Sequence, residues 1–306
     1  MANAVGIVGM GTMGGAFAEN LLHAGWRVSG FDIDPARRRL MARAGVEVAP
    51  GPAAVARAVP TLITSLPNPA ALHATAKALI AAKLPRRVIV ETSTFTLEDK
   101  LKAERALRAN GHIMLDCPVS GTGAQARTKD LVIYASGNSK SIRKLRRLFA
   151  GFARAAHDLG GFGNGSRMKY VANLLVAIHN VASAEAMVLG LKAGLDARTV
   201  FDMITTGAGN SRVFELRAPM MVENRYNNAS MTISLWQKDM SVIKKFARQL
   251  HCPTPMFDTT APIYEKALKT GHAGHDTAAV CAVLEKAARV RRKSRTPAAK
   301  RASRKR

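Results

Sequence analysis

Lys169 and Asn173 stand four residues apart in the stretch Gly163 to Asn173, which reads GNGSRMKYVAN. A helix stacks residues i and i+4 on one face, so an amine and an amide at these positions share one space. Such a pair can move a proton to or from a substrate oxygen and orient that oxygen. The stretch opens from a glycine-rich turn (Gly160, Gly161, Gly163, Gly165) into a long helical pattern. A lone lysine on a helix is ordinarily a solvated charge, so the setting carries the argument for Lys169. Asn is disfavoured inside an apolar helix, which supports a task for Asn173.

A second cluster lies near the start. Gly9-Met10-Gly11-Thr12-Met13-Gly14 spells G-x-G-x-x-G between a strand pattern (Val5–Val8) and a helical one (Thr12–His23). Glycines there allow a tight turn and close approach of backbone to a pyrophosphate at the helix N-terminus. The second strand pattern ends at Asp32, where a carboxylate can accept both ribose hydroxyls of an adenosine. That carboxylate would repel a 2′-phosphate, so NAD is preferred over NADP. An arginine of the run Arg37-Arg38-Arg39 could reach a 2′-phosphate, but the run reads more simply as a solvated basic helix face.

The elements that must hold these clusters follow from periodicity. Residues 4 to about 158 alternate short β-rich runs (VGIVG, RVSGFD, VEVA, TLITSL, RVIVET, HIMLD, LVIYASG, ARAAHDLG) with Ala-rich helical segments. This predicts an α/β, Rossmann-type doubly wound parallel sheet over 1–160, with its later strands partly antiparallel. From Gly165 strand signals almost vanish. Helical patterns at 166–193, 196–206, 211–222, 233–250, 256–270 and 276–290 predict an all-α substrate and dimerisation domain over 161–290, built on the long first helix. That helix is apolar on more than one face, which predicts a homodimer or homotetramer. Its apolar run is broken by His179, Asn180, Glu185 and Lys192, as expected of a core helix and not of a membrane span.

Four stretches in order resemble the β-hydroxyacid dehydrogenase family, which includes 3-hydroxyisobutyrate dehydrogenase and tartronate semialdehyde reductase. They are IVGMGTMG at 7–14, DCPVSGT at 116–122, GNGSRMKYVAN at 163–173, and the pair Lys238–Asp239. The resemblance spans about residues 4 to 288. It implies reversible hydride transfer between a nicotinamide cofactor and a small anionic β-hydroxy acid or its semialdehyde. Lys169 would be the general acid/base, a role that typically contributes about 10²–10⁴ in rate. Asn173 would orient a substrate oxygen. Ser120, Gly121 and Thr122 would hold the substrate carboxylate through hydroxyl and N–H donors. Lys238 would lie over cofactor and substrate with Asp239 fixing it, although such a pair also suits an ordinary surface. Leu66, Pro67 and Thr94 would line the nicotinamide side.

Two departures from the family pattern bear on substrate. Thr122 replaces the second glycine of the substrate loop, and Ala172 stands where many relatives carry Asn or His. The 6-phosphogluconate dehydrogenases resemble the pattern but use His there and have longer chains, which disfavours decarboxylation. Imine reductases share the architecture but typically lack the lysine. Asn210, Ser211 and Arg212 are candidates to complete the pocket.

Composition bounds the rest. The 306 residues are 47% hydrophobic, enough for a sizeable core, and carry a net charge of +25. Eleven Lys or Arg and no acid fall between Lys286 and Arg306. The body stays basic without them, which suits anionic substrates and phosphate-bearing cofactors. Residues 291–306 are expected to be a disordered basic tail. A tail of this kind over 289–306 could also contact nucleic acid, giving a second reading: a catalytically marginal dehydrogenase-like binding module. Cys117, Cys252 and Cys281 show no C-x-x-C spacing, and the start of the chain lacks a signal-peptide pattern, so a reducing, cytoplasmic setting is expected. His23, His112, His157 and His179 show no metal-ligand spacing and are expected to be packing or surface residues, with no metal.

Overall fold

The computed structural model describes residues 3–292. Most of the tail, 293–306, and with it most of the suggested nucleic-acid segment, lies outside the described residues.

Six strands form one parallel sheet: β1 (Ala4–Val8), β2 (Arg27–Phe31), β3 (Glu47–Val48), β4 (Thr61–Thr64), β5 (Val88–Glu91) and β6 (Ile113–Asp116). Their order is β3-β2-β1-β4-β5-β6, so the chain reverses direction of winding between β1 and β4. In such sheets ligands bind beyond the carboxyl ends of the strands at that point. Helices cover both faces, and the central strands are accordingly apolar on both sides, with Val5, Ile7, Leu62, Ile63, Ile89 and Val90 all buried. A separate three-stranded sheet follows, made of β7 (Val119–Ser120), β8 (Val132–Ala135) and β9 (Ala155–Asp158). β7 pairs antiparallel with β8, and β8 pairs parallel with β9. The two-residue strand β7 was not legible in the sequence, because it is too short to show alternation.

The C-terminal domain is helical. The long helix Asn164–Lys192 is packed by the helices Ala197–Thr206, Arg212–Glu223, Ile233–Gln249, Pro255–Ala267 and Val280–Ala287. Tyr170, Ala177, Val181, Ala184, Met187 and Val188 of the long helix belong to the core these neighbours share. It is long and apolar enough to cross a membrane by length and composition, but here it packs against five helices. Side-chain caps set several helix starts: Asp196 accepts from Thr199 N, Ser211 from Phe214 N, and Thr232 from Leu235 N. Two expected helices are interrupted. The helix begun at Pro255 turns into a wider five-residue turn at Leu268–His272, where Gly271 takes φ +92°. The last begins as a 3₁₀ turn over Thr277–Ala279. The start of the expected tail is not free either, since Arg292 pairs with Glu285 and donates to Val222 O and Met221 O.

One buried ion pair staples this domain. Arg217 Nη1 lies 2.8 Å from Asp276 Oδ2, with Asp276 fully buried and also accepting from Ser230 N and Ala278 N. Removing one partner of such a pair strands the other charge. Asp276→Ala is expected to lower stability by about 3–5 kcal/mol, read as a shifted urea midpoint of the helical signal.

Candidate active site

The cofactor crevice is built at the carboxyl end of β1. A Cβ on Gly14 would sit 1.9 Å from Gly9 O, so the turn closes only with glycine there. Gly11 differs, because a Cβ added to it meets nothing within 4 Å. Gly11 is also the N-cap of the helix Thr12–His23, and no side chain caps that helix. Its first amides are therefore left for an anion from outside the chain. Asp32, just beyond β2, is held by Met10 N at 2.7 Å and Asp34 N at 2.9 Å. The fit to a dinucleotide is direct: open space over Gly11, an uncapped helix start, and a carboxylate fixed beside them. Arg38 donates to Asp32 O and Ile33 O, and its guanidinium lies 6.0 Å from the Phe31 ring centre. Two of the three arginine side chains, Arg37 and Arg39, are exposed.

Leu66 and Pro67 follow β4, and Thr94 follows β5, on neighbouring loops at the same end of the sheet. These loops are tied together, because Leu66 N donates to Ser93 Oγ at 2.8 Å.

A cavity of about 660 Å³ opens between this domain and the helical one. Ser120, Gly121, Thr122, Lys169 and Asn173 all line it, as do Asn210, Ser211 and Arg212. The sequence had separated these residues by up to about ninety positions. Gly9 to Gly14, Asp32, Leu66, Pro67, Thr94 and Lys238 lie outside this cavity's lining, on the cofactor side or at the domain junction.

Lys169 is only 9% exposed. Burial pushes its amine below the ordinary lysine range; the nearby Asp239 carboxylate opposes the shift and Lys238 adds to it. Asn173 donates to Asp239 Oδ2 at 3.0 Å. Asp239 is itself buried, and burial raises its carboxyl against the pull of Lys238 and Lys169. Lys238 Nζ stands 3.6 Å from Asp239 Oδ1, donates to Thr94 O at 3.0 Å, and lies 5.3 Å from the Phe95 ring centre. Lys238 thus bridges the two domains, with Asp239 beside it.

One expectation changes. Thr122 N and Thr122 Oγ1 both donate to Gln125 Oε1, at 3.1 and 3.4 Å, where Thr122 begins the short helix Gly123–Arg127. A substrate carboxylate would have to compete with Gln125 for them, which leaves Ser120 and Gly121 as the readier donors. His179, expected to be a packing or surface residue, is partly exposed and lines the cavity. Sequence reasoning also missed Tyr134 and Trp236, which line the same space from β8 and from the helix Ile233–Gln249. Nothing local marks either one. Among the described residues no cluster of three or more His, Cys, Asp or Glu could hold a metal.

Comparison with known proteins agrees with this geometry. Residues 4–161 match the NAD binding domain of 6-phosphogluconate dehydrogenase, and residues 163–284 match the NAD-binding of NADP-dependent 3-hydroxyisobutyrate dehydrogenase. The L-threonate dehydrogenase of Cupriavidus necator is 31% identical over 288 residues, covering 93% of this chain and 97% of that one. The NAD-dependent L-serine dehydrogenase of Pseudomonas aeruginosa is 28% identical, over 90% of this chain and 96% of that one. The solved Mycobacterium tuberculosis 3-hydroxyisobutyrate dehydrogenase with L-serine superposes with a TM-score of 0.84 at 27% identity, over 93% and 99% of the two chains. Nothing in these comparisons supports the reading as a nucleic-acid binding module.

The crevice generates a paired test. Gly14→Ala is expected to destabilise the fold outright. Gly11→Ala should keep the thermal midpoint within a few degrees yet weaken NADH binding at least ~10-fold in a fluorescence titration, since the added methyl enters only the anion's space. A Gly11→Ala protein that binds NADH normally would move the pyrophosphate elsewhere. With crevice, cavity and comparisons in agreement, the chain belongs to the β-hydroxyacid dehydrogenase family of NAD(P)-dependent oxidoreductases.

Proposed function

We propose that this chain catalyses reversible, NAD-dependent oxidation of a small β-hydroxy acid, with residues 1–160 holding the dinucleotide and 161–290 closing the substrate cleft. The observation that carries the reading is the placement of Lys169 and Asn173 on one face of the long helix, both lining the cavity that Ser120 and Gly121 enter from the other domain. A nicotinamide held in the crevice would supply the acceptor for the hydride of the hydroxyl carbon. Lys169, neutral, takes the hydroxyl proton, and in the reverse direction it donates that proton to the carbonyl oxygen. Asn173 gives one of its two amide N–H groups to Asp239 and keeps the other for the substrate oxygen. Ser120 and Gly121 hold the carboxylate. Leu66, Pro67 and Thr94 would line the nicotinamide side, with Lys238 beside them donating to Thr94 O.

Other polar groups that line the cavity, Tyr134, His179, Asn210 and Ser211, suit a substrate with further hydroxyls. L-threonate, the substrate named for several relatives, is therefore the first compound to test, ahead of 3-hydroxyisobutyrate and L-serine. NAD is favoured over NADP because the Asp32 carboxylate is fixed by two backbone amides while Arg38 is engaged with backbone carbonyls. Exposed apolar side chains on the long helix, Val171, Leu175 and Leu189, support a homodimer or homotetramer. Cys117, Cys252 and Cys281 are free thiols, which supports a cytoplasmic setting.

The pH dependence carries a sign. Oxidation needs the neutral amine, so its kcat/KM should rise with pH and level off below the ordinary lysine value, because burial lowers Lys169. Asp239→Asn removes the charge that opposes this lowering, so the rise should move to lower pH. Lys169→Ala should cut kcat by about 10²–10⁴ with NADH affinity nearly unchanged; near-normal kcat would refute the assignment. Asp32→Ala should narrow the preference for NAD over NADP, measured as the ratio of kcat/KM values.

A further inference from the structure

Lys100 is fully buried, on a helix (Leu97–Ala109) whose other two basic chains near it, Lys102 and Arg105, are exposed. Its Nζ lies 2.7 Å from Glu91 Oε2 and donates to Asp116 Oδ1 at 2.8 Å, and both acids are fully buried. Burial alone would discharge the amine, but the Asp116 and Glu91 carboxylates outweigh it and hold the amine charged. Three charges taken out of water are costly to keep. What they hold lies on both sides of the site.

One arm runs to the cofactor side. Glu91 Oε1 accepts from Ser93 N at 2.9 Å, and Ser93 Oγ accepts from Leu66 N. The loop after β5 is thereby fixed to the loop after β4. The other arm runs to the acid/base helix. Asp116 Oδ2 accepts from Ser166 N at 2.7 Å and Asp116 Oδ1 from Ser166 Oγ at 2.8 Å, one turn before Lys169. Tyr170, adjacent to Lys169, closes the circuit by donating to Phe95 O at 2.5 Å.

We propose that Lys100 is a positioning residue for hydride transfer: by pairing Glu91 with Asp116 it locks the loop Ser93–Phe95 and the first turn of the long helix into one unit, which sets the nicotinamide face against Lys169. Lys100 touches neither cofactor nor substrate. The inference rests on the reading above that Leu66 and Thr94 face the nicotinamide.

The test needs no substrate. Full-length wild type, Lys100→Met and Glu91→Gln are titrated with NADH and with ADP-ribose, which shares every part of the dinucleotide except the nicotinamide. Wild type should bind NADH more tightly than ADP-ribose. Lys100→Met, which leaves two carboxylates facing each other, should weaken NADH at least ~10-fold with ADP-ribose within ~3-fold. Adding Glu91→Gln to Lys100→Met should restore part of the NADH affinity, because the amide oxygen still accepts from Ser93 N and one of the two unpaired charges, with the repulsion between them, is gone. If Lys100→Met does not fold, as loss of ADP-ribose binding would show, Glu91→Gln alone decides. It keeps Lys100 paired with Asp116 and should still lower the preference for NADH over ADP-ribose at least ~3-fold. A folded variant with the wild-type preference overturns the role of Lys100 and leaves the site reading intact. A wild type with no preference for NADH overturns the placement of the nicotinamide, and this proposal with it.

Discussion

A carboxylate without water must find its donors within the protein, and Asp116 finds all of them at one point. Fully buried at the end of β6, it accepts from Lys100 Nζ, Ser166 N and Ser166 Oγ, with Ser136 Oγ at 3.3 Å. These donors come from the flanking helix, from the residue that follows β8 and from the start of the long helix. The sheet that shapes the cofactor crevice and the helix that carries Lys169 are thus joined by charge-assisted hydrogen bonds, which are shorter and stronger than neutral ones. Space is as restricted as charge there. A Cβ at Gly165 would stand 2.2 Å from Tyr134 O and 2.7 Å from Asp116 O, so the long helix can approach the sheet only as glycine.

From that junction the chemistry is arranged by degrees of burial. Lys169 is buried enough for its amine to lose its proton more easily than a surface lysine, yet it still lines an open cavity. Asp239 tempers the shift from behind and takes the Asn173 amide. Lys238 is half-exposed, and with no deep burial it reaches across to Thr94 O instead of entering the cavity. Three polar side chains near one another therefore differ in burial, partners and ionisation through their surroundings alone.

The mouth of the cavity follows the same logic. Asp130 accepts from Gln125 Nε2 at 3.1 Å and from Arg154 Nε at 3.0 Å, and Arg212 of the helical domain lies 3.4 Å away. Gln125 in turn engages Thr122. Thr122, where the family pattern has glycine, is in this way tied through Gln125 and Asp130 to the facing domain.

The sequence alone determined the alternation of strands and helices in the first domain apart from β7, the dinucleotide turn and the pairing of Lys169 with Asn173. All three depend on local rules: periodicity, glycine at a close approach, and the four-residue stacking of a helix. Lys100 shows where those rules stop. Its spacing with Ala103 and Leu107 puts it on the buried face of its helix, but spacing cannot say that Glu91 and Asp116 wait there on adjacent strands. Thr122 shows the same limit, since its donors looked free for substrate until Gln125 was seen to use them. Only the tertiary structure decided which charges are paired and which polar groups are spent, because both depend on residues far apart in the chain that meet where water is excluded.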